Sequence, residues 1–346
     1  MPVVWNSNHS LHDPGGEVWV GVRIPGTETH QRLERILEAV VDAGAVVNRG
    51  PMFDPGILHD VHTTELVDFL ATAWEDWESW GYTTHPGADR VIPYVFALPE
   101  AAPRRTTPRS PAARAGQHAM DTMTLIGPGT WEAALGAAST AAHASDMVCA
   151  GTLVVYAAVR PPGHHVGTSF YGGSCYLNNA AIAAHRLRAA FDTVAVIDID
   201  AHHGNGTQQI FWDRADVRYG SAHVDPGEGW FPHYVGFATE TGGVPGSNRN
   251  LPLAPGTGDD EWLEAITDLV RFAVGTDALV VSLGVDAASS DPESPLDITA
   301  AGFAAAGRIL GELSVPTVVV QEGGYDLDTI GELVVAFLAG FEGAMR

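Results

Sequence analysis

Val196-Ile197-Asp198-Ile199-Asp200-Ala201-His202-His203-Gly204-Asn205-Gly206 is a β-branched run that breaks into a polar cluster. Side chains two apart on a strand share a face, so Asp198, Asp200 and His202 can point the same way. A carboxylate and an imidazole at that spacing make a natural metal-ligand pair. Catalytic zinc uses about three protein ligands and one open position. A third ligand must come from another strand end, and Asp286 in Ser282-Leu283-Gly284-Val285-Asp286 is the best placed. A lone Asp in such a run more often caps a helix or closes a turn. A whole D-x-D-x-H-H-G cluster ending an apolar strand does not read that way.

Four more short apolar runs flank this one: 153–159, 217–223, 278–285 and 317–321. Helix-compatible stretches lie between and after them, at 178–190, 206–212, 259–272 and 300–313. Strands alternating with helices predict an α/β protein with a mostly parallel sheet covered on both faces. Two amphipathic stretches, 29–43 and 64–80, precede a loop rich in Pro and Arg at 99–111, the one linker-like segment. About 150 residues per domain would suggest two domains. No separate core is evident before the loop, so one domain over 1–346 is expected, with a protruding loop insertion at about 84–118.

Polar residues cluster where these runs stop: 160–165, 198–206, 221–225, Asp286 and 322–325. In open α/β sheets ligands bind outside the carboxyl ends of the strands. Five such ends point to one shared site.

The 346 residues carry 42 acids, 18 bases and a formal charge of −24, and no lysine. Such a surface repels phosphate backbones, so no nucleic-acid partner is expected. Acidity would attract cationic substrates, although it is more often a route to solubility. Two cysteines, Cys149 and Cys175, exclude a disulfide framework and suit a reducing compartment. The first ten residues lack a charged head before an apolar run, and no apolar run reaches about 18 residues. A soluble, cytoplasmic protein without membrane contact is the expectation.

Two further motifs carry chemistry. In Arg160-Pro161-Pro162-Gly163-His164-His165 the adjacent histidines suit acid–base work near neutrality. Each needs an orienting partner, and Asp198 and Asn205 are available. A His paired with Asp stays protonated more readily than one paired with Asn, so the two could differ in role. Standing alone, the dipeptide could equally be two solvated loop histidines. In Glu322-Gly323-Gly324-Tyr325, two glycines at a strand end let the chain turn sharply and bring a phenol into a cleft. Such a phenol can donate to an oxyanion, although GGY alone reads as an ordinary turn. A second metal would need a carboxylate two positions beyond Asp286, where Ala288 stands. One metal is expected.

Taken together, RPPGHH (160–165), GGSCYLNNAA (172–181), IDIDAHHGNGTQ (197–208), SLGVD (282–286) and EGGY (322–325) resemble the histone deacetylase superfamily. The likeness is to its bacterial acetylpolyamine amidohydrolases and class II-like deacetylases, with weaker similarity over nearly the whole chain. It implies an arginase/deacetylase fold and a zinc-dependent amidohydrolase acting on linear amides. It implies Asp200, His202 and Asp286 as zinc ligands, with ferrous iron a possible substitute. His165 would be the general base, and His164, held by Asp198, a cationic electrostatic group or acid. Asn205 resembles the class II variant of a position that class I fills with Asp. Tyr325 would bind the oxyanion. A structural potassium ion would take side chains of Asp198 and Ser221 and backbone carbonyls of Asp200, His202 and Ala222.

The same resemblance places the substrate between Gly173, Ser174, Trp230 and Phe231. Ser174 stands where the family has an aromatic, so one wall of the tunnel is missing unless Phe170 or Tyr171 replaces it. Acidic positions that hold distant ammonium groups in acetylpolyamine enzymes align with Ala115 and Met123, with Asp121 close by. The stretch RRTTPRSP (104–111) implies a homodimer whose interface narrows access to the site. The expected substrate is a small N-acyl amine, with an acetylated polyamine first and another acylated metabolite or acetyl-lysine after it. A non-catalytic acyl-amine binder would predict loss of a ligand or of Tyr325, and an arginase-like dimetal site would need an acid at Ala288.

Overall fold

The computed structural model describes residues 1–98 and 106–345. Ten strands fold in the order β1 (Pro2–Trp5), β2 (Glu17–Trp19), β3 (Val22–Ile24), β4 (Val46–Arg49), β5 (Val154–Ala158), β6 (Val194–Asp198), β7 (Val217–Val224), β8 (Asn248–Leu253), β9 (Ala278–Leu283) and β10 (Thr317–Gln321). Nine helices accompany them among the described residues. The first five are α1 (Gln31–Asp42), α2 (Thr64–Ser79), α3 (Pro111–His118), α4 (Thr130–Cys149) and α5 (Asn179–Leu187). The other four are α6 (Asn205–Phe211), α7 (Asp259–Ala273), α8 (Ala300–Gly311) and α9 (Ile330–Ala344).

Eight strands form one sheet in the order β4-β1-β5-β10-β9-β6-β7-β8, and every neighbour pair is parallel. β2 and β3 form a separate antiparallel hairpin. All five expected strands, the central one expected over 194–200, are present within two residues of their expected ends, and they make the centre of the sheet. Their alternation decides the layering. Val194 and Val196 of β6 lie in the buried cluster that also holds α2, α4 and α5, while Ala195 and Ile197 lie in the one that holds α7, α8 and α9. Burial on both faces is what continuous β-branched runs require.

Part of the stretch expected as a protruding loop is helical. Ala112 and Ala115 of α3 are buried in the core beside α2, and Gly116 lies so close to Val95 that no side chain fits there. Residues 99–105, the heart of the Pro/Arg-rich segment, lie outside the described residues.

Close backbone contacts seat the site. The His164 carbonyl accepts from the Gly206 and Thr207 amides at 3.1 Å, joining the loop after β5 to the start of α6. Asn178 caps α5 by accepting from Ala181 N at 2.8 Å, and its amide donates to Val166 O and Thr207 Oγ1. A Cβ on Gly206 would fall 2.3 Å from the Val166 backbone. Gly206→Ala should therefore lower the free energy of unfolding by about 1–3 kcal/mol through overpacking. Urea denaturation measures this, and an unchanged midpoint would contradict the tight seating.

Candidate metal centre and catalytic site

The site lies at the carboxyl ends of β5, β6, β9 and β10. Asp200, His202 and Asp286 bring one ligand atom each within 4.8 Å of one another. His202 Nδ1 is 3.1 Å from Asp286 Oδ2 and 3.5 Å from Asp200 Oδ1. Backbone amides aim both carboxylates. Gly323 N donates to Asp200 Oδ2 at 2.8 Å, and Ala201 N donates to Asp286 Oδ1 at 3.0 Å. Each carboxylate thus keeps its other oxygen toward His202. Space is equally controlled: a Cβ on Gly323 would sit 2.6 Å from both Asp200 Oδ2 and Asp286 Oδ2.

In this cluster burial and the Asp200 charge push the Asp286 carboxyl well up. Burial alone would lower the His202 imidazole, but hydrogen bonds and charges from Asp200 and Asp286 outweigh it and raise it well above its usual value. The trio therefore holds protons that a cation would displace. Two acids and one imidazole within reach of a common point fit a divalent metal such as zinc.

His164 and His165 stack at 4.0 Å between ring centroids but have opposite electrostatics. His164 Nδ1 donates to Asp198 Oδ2 at 3.0 Å, and its Nε2 lies 3.7 Å from Asp200 Oδ1. Burial would lower its pKa, yet Asp200 and Asp198 raise it to about 10. His164 is an imidazolium at neutral pH. His165 Nδ1 lies 2.8 Å from Asn205 Oδ1. Burial, then the neighbouring His164 cation, pushes it well below its usual value. Because an amide oxygen can only accept, Nδ1 carries the proton and Nε2 is left as a base.

Tyr325 follows the two glycines, and burial followed by the Glu293 charge raises its phenol well above the usual value. It stays a donor. The Arg32 guanidinium lies over its ring at 4.6 Å and donates to the carbonyls of Glu322 and Gly324. Glu28 holds both Arg32 and Arg160 at 2.8 Å.

Asp198 pairs with Ser221 in the β6–β7 register, and Ala222 follows on β7. Ser221 Oγ is 2.7 Å from His223 Nδ1, while His223 Nε2 donates to Gly236 O. The serine hydrogen therefore points to His223 and its lone pairs elsewhere. His203 of the central motif turns away to Gln208 Oε1 at 3.1 Å.

The tunnel residues divide. Phe231 meets His165 edge-on at 4.8 Å, and a Cβ on Gly173 would lie 2.3 Å from the His165 ring and 3.0 Å from Phe231. Ser174 follows Gly173 at φ +60°. Trp230 is half-buried and packs against the edge of the apolar cluster on one face of the sheet. Tyr171 is buried in a stack with Phe69 and Tyr176, and Phe170 lies against Gly167 and Gln209. Neither replaces the aromatic missing at Ser174. Ala115 is fully buried in the core and cannot face a substrate.

The chain belongs to the histone deacetylase family. Residues 26–341 match the histone deacetylase domain. The acetylpolyamine amidohydrolase of Mycoplana ramosa is 39% identical over 99% of this chain and 100% of its own. Acetylpolyamine amidohydrolase 2 of Pseudomonas aeruginosa is 37% identical over the full length of both. The solved acetylpolyamine aminohydrolase of Burkholderia pseudomallei superposes with a TM-score of 0.93 at 36% identity, over 100% of this chain and 99% of that one. The fold is the arginase/deacetylase fold, and the chain is an amidohydrolase of the deacetylase type.

Other residues of this deacetylase site hold the backbone of its turns. Asp121 Oδ2 accepts from Gly173 N at 2.6 Å, and Thr124 Oγ1 accepts from Ser174 N at 2.9 Å, fixing the turn beside Phe231. Glu322 Oε2 accepts from the amides of Gly163 and His164. Arg32, Glu28 and Asp291 act from distant segments, and spacing alone could not reveal them.

The raised Asp286 carboxyl gives a sign for metal binding, while Asp200, despite its burial, is held low by the His164 charge. A carboxyl raised in the folded state keeps its proton there at a pH where the unfolded chain has lost it. Its contribution to the metal-free fold is therefore lost as pH rises through the raised value. Metal removes that cost, so the melting-temperature gain on adding zinc should be larger at pH 8 than at pH 6. Asp286→Asn and Gly323→Ala should each abolish the gain, as differential scanning fluorimetry with and without metal would show.

Proposed function

We propose that this chain hydrolyses the acyl amide of a small amine, an acetylated polyamine first, using zinc held by Asp200, His202 and Asp286. The observation that carries the reading is the opposed pair of histidines beside a three-ligand cluster. When bound, the metal lowers the pKa of a water from about 15.7 to roughly 7 and polarises the carbonyl. His165 Nε2 takes the proton from the attacking water, with Nδ1 fixed on Asn205. His164 stays cationic, offsets the buried carboxylates and favours the negative charge that develops. Tyr325 donates its phenol hydrogen to the oxyanion. Protonated His165 then returns its proton to the departing amine.

A cationic amine suits a pair of acids whose charge, through Glu293, reaches Tyr325. Burial, with the Glu293 charge next, pushes the Glu17 carboxyl up to about 7. Thr27 donates to both acids, through N to Glu17 and Oγ1 to Glu293. Two carboxylates sharing a donor, with no basic partner among the described residues, gain from an ammonium ion. These acids come from the β2–β3 hairpin and the loop after β9, not from the positions of Ala115 and Met123. The named relatives act on acetylpolyamines, which supports the same class here.

The bare Gly173–Ser174 turn opposite Phe231 favours a second reading, a deacylase of another, wider acylated metabolite. Acetyl-lysine ranks after it. We also propose a structural potassium ion at Asp198, Ser221 and Ala222, consistent with the lone pairs freed on Ser221. A cytoplasmic homodimer completes the reading. Tyr94, Val95, Phe96 and Leu98 are all exposed next to α3, and a contiguous apolar strip of this kind suits a partner copy.

A panel of N-acetylputrescine, N-acetylcadaverine, N8-acetylspermidine, an acetyl-lysine peptide and longer acyl amines tests the substrate. Acetylpolyamines should turn over fastest, and Tyr325→Phe should lower kcat by ~10²–10³. Exclusive turnover of wider amides would move the chain to the second reading, and no turnover by metal-loaded protein would sink both. Light scattering should give a dimer mass, and Tyr94→Asp with Phe96→Asp should shift it toward monomer.

A further inference from the structure

We infer that Asp291 is a positioning residue for the oxyanion donor, and the inference rests on the hydrolase reading of the site. Asp291 lies in the loop between β9 and α8, five residues beyond the ligand Asp286. It is only 8% exposed. Its Oδ2 accepts from Tyr325 N at 2.6 Å and from Asp326 N at 3.2 Å. Its Oδ1 accepts from Glu293 N at 3.0 Å. No arginine or histidine forms an ion pair with it among the described residues. A buried carboxylate without a cation is unfavourable, and burial duly pushes Asp291 up to about 6. Three backbone amides nevertheless converge on it.

The chain around Tyr325 explains the need. Gly323 and Gly324 precede it, and Gly324 sits at φ +123°. Gly323 is anchored through its amide to Asp200 and through its carbonyl to Val285 N and Gln321 Nε2, so the backbone is held up to the glycines and Tyr325 is the next residue whose amide needs an acceptor. On the far side, Ile330 N and Thr329 N bond to Asp326 O, which starts the helix but does not hold Tyr325. Arg32 fixes the carbonyls of Glu322 and Gly324 and stacks on the phenol. Asp291 is the acceptor for the Tyr325 amide itself. Its own loop is firm, since Asp291 N bonds to Ala288 O and Ser294 N to Asp291 O. One carboxylate thus sets the distance between the metal-ligand strand end and the phenol. Through Glu293 N it also ties that distance to the acid that shares Thr27 with Glu17.

Asp291→Asn keeps the shape but replaces one accepting oxygen with a donor group. The measurement is a double-mutant cycle on metal-loaded enzyme with the amide turned over fastest. The expected result is a 10- to 100-fold fall in kcat, a KM change of under about threefold, and unchanged metal content. In a Tyr325→Phe background the same substitution should change kcat by less than about twofold, because the group being positioned is gone. Equal losses in both backgrounds would overturn the assignment and leave the hydrolase reading intact. If Tyr325→Phe alone keeps full kcat, the oxyanion role and the assignment fall together. Should Asp291→Asn not fold, Asp291→Glu is read in the same cycle, with the same two outcomes.

Discussion

Four acids, Asp198, Asp200, Asp286 and Glu322, are buried in one site with two imidazoles whose protonated forms they favour, His164 and His202. Burying a charge is tolerable only when it is paired or hydrogen-bonded. Backbone amides at the strand ends supply part of the compensation, and each aims a carboxylate as it does so. The protons on His164 and His202 supply more. The remaining deficit is what a divalent cation would fill. The division of labour between the two adjacent histidines follows from the same electrostatics. The one facing carboxylates is charged, and that charge helps keep its neighbour neutral.

The parts of the fold that could be read from sequence are those where packing leaves a periodic mark. β5, β6, β7, β9 and β10 are buried on both faces, so β-branched residues run continuously through them. α7 and α8 are bounded by Asp259 and Thr299, recognisable starts. The outer sheet carried no such mark. β8 contains Asn248, Asn250 and Pro252, and β4 is a short, exposed edge. α4 is rich in alanine and buried nearly all round, so no polar stripe announces it. α9 is apolar on most of its surface for the same reason.

The site shows the same split. Asp198, Asp200, His202, His164, His165 and Tyr325 stand in local motifs where strands end, and the structure gathers them with Asp286. Phe231 reaches His165, while its neighbour Trp230 is half-buried against the apolar cluster. The residues that hold the catalytic groups in place were not legible. Arg32 and Asp291 act on backbone groups far away in sequence, and a contact to backbone leaves no motif to match.

The buried Glu28–Arg32–Arg160 cluster has a consequence for how the protein is made. Arg32 grips Gly324 O across 292 residues, and Arg160 grips Glu28 across 132. Contacts this distant form late, since long loops must close before they are rewarded. A chain emerging from the ribosome can build β5 and β6 and display Asp200 and His202 well before Tyr325 exists. The catalytic centre is complete only when the last seventh of the polypeptide folds back onto the first tenth, so an unfinished chain has ligands for a metal but no working hydrolase.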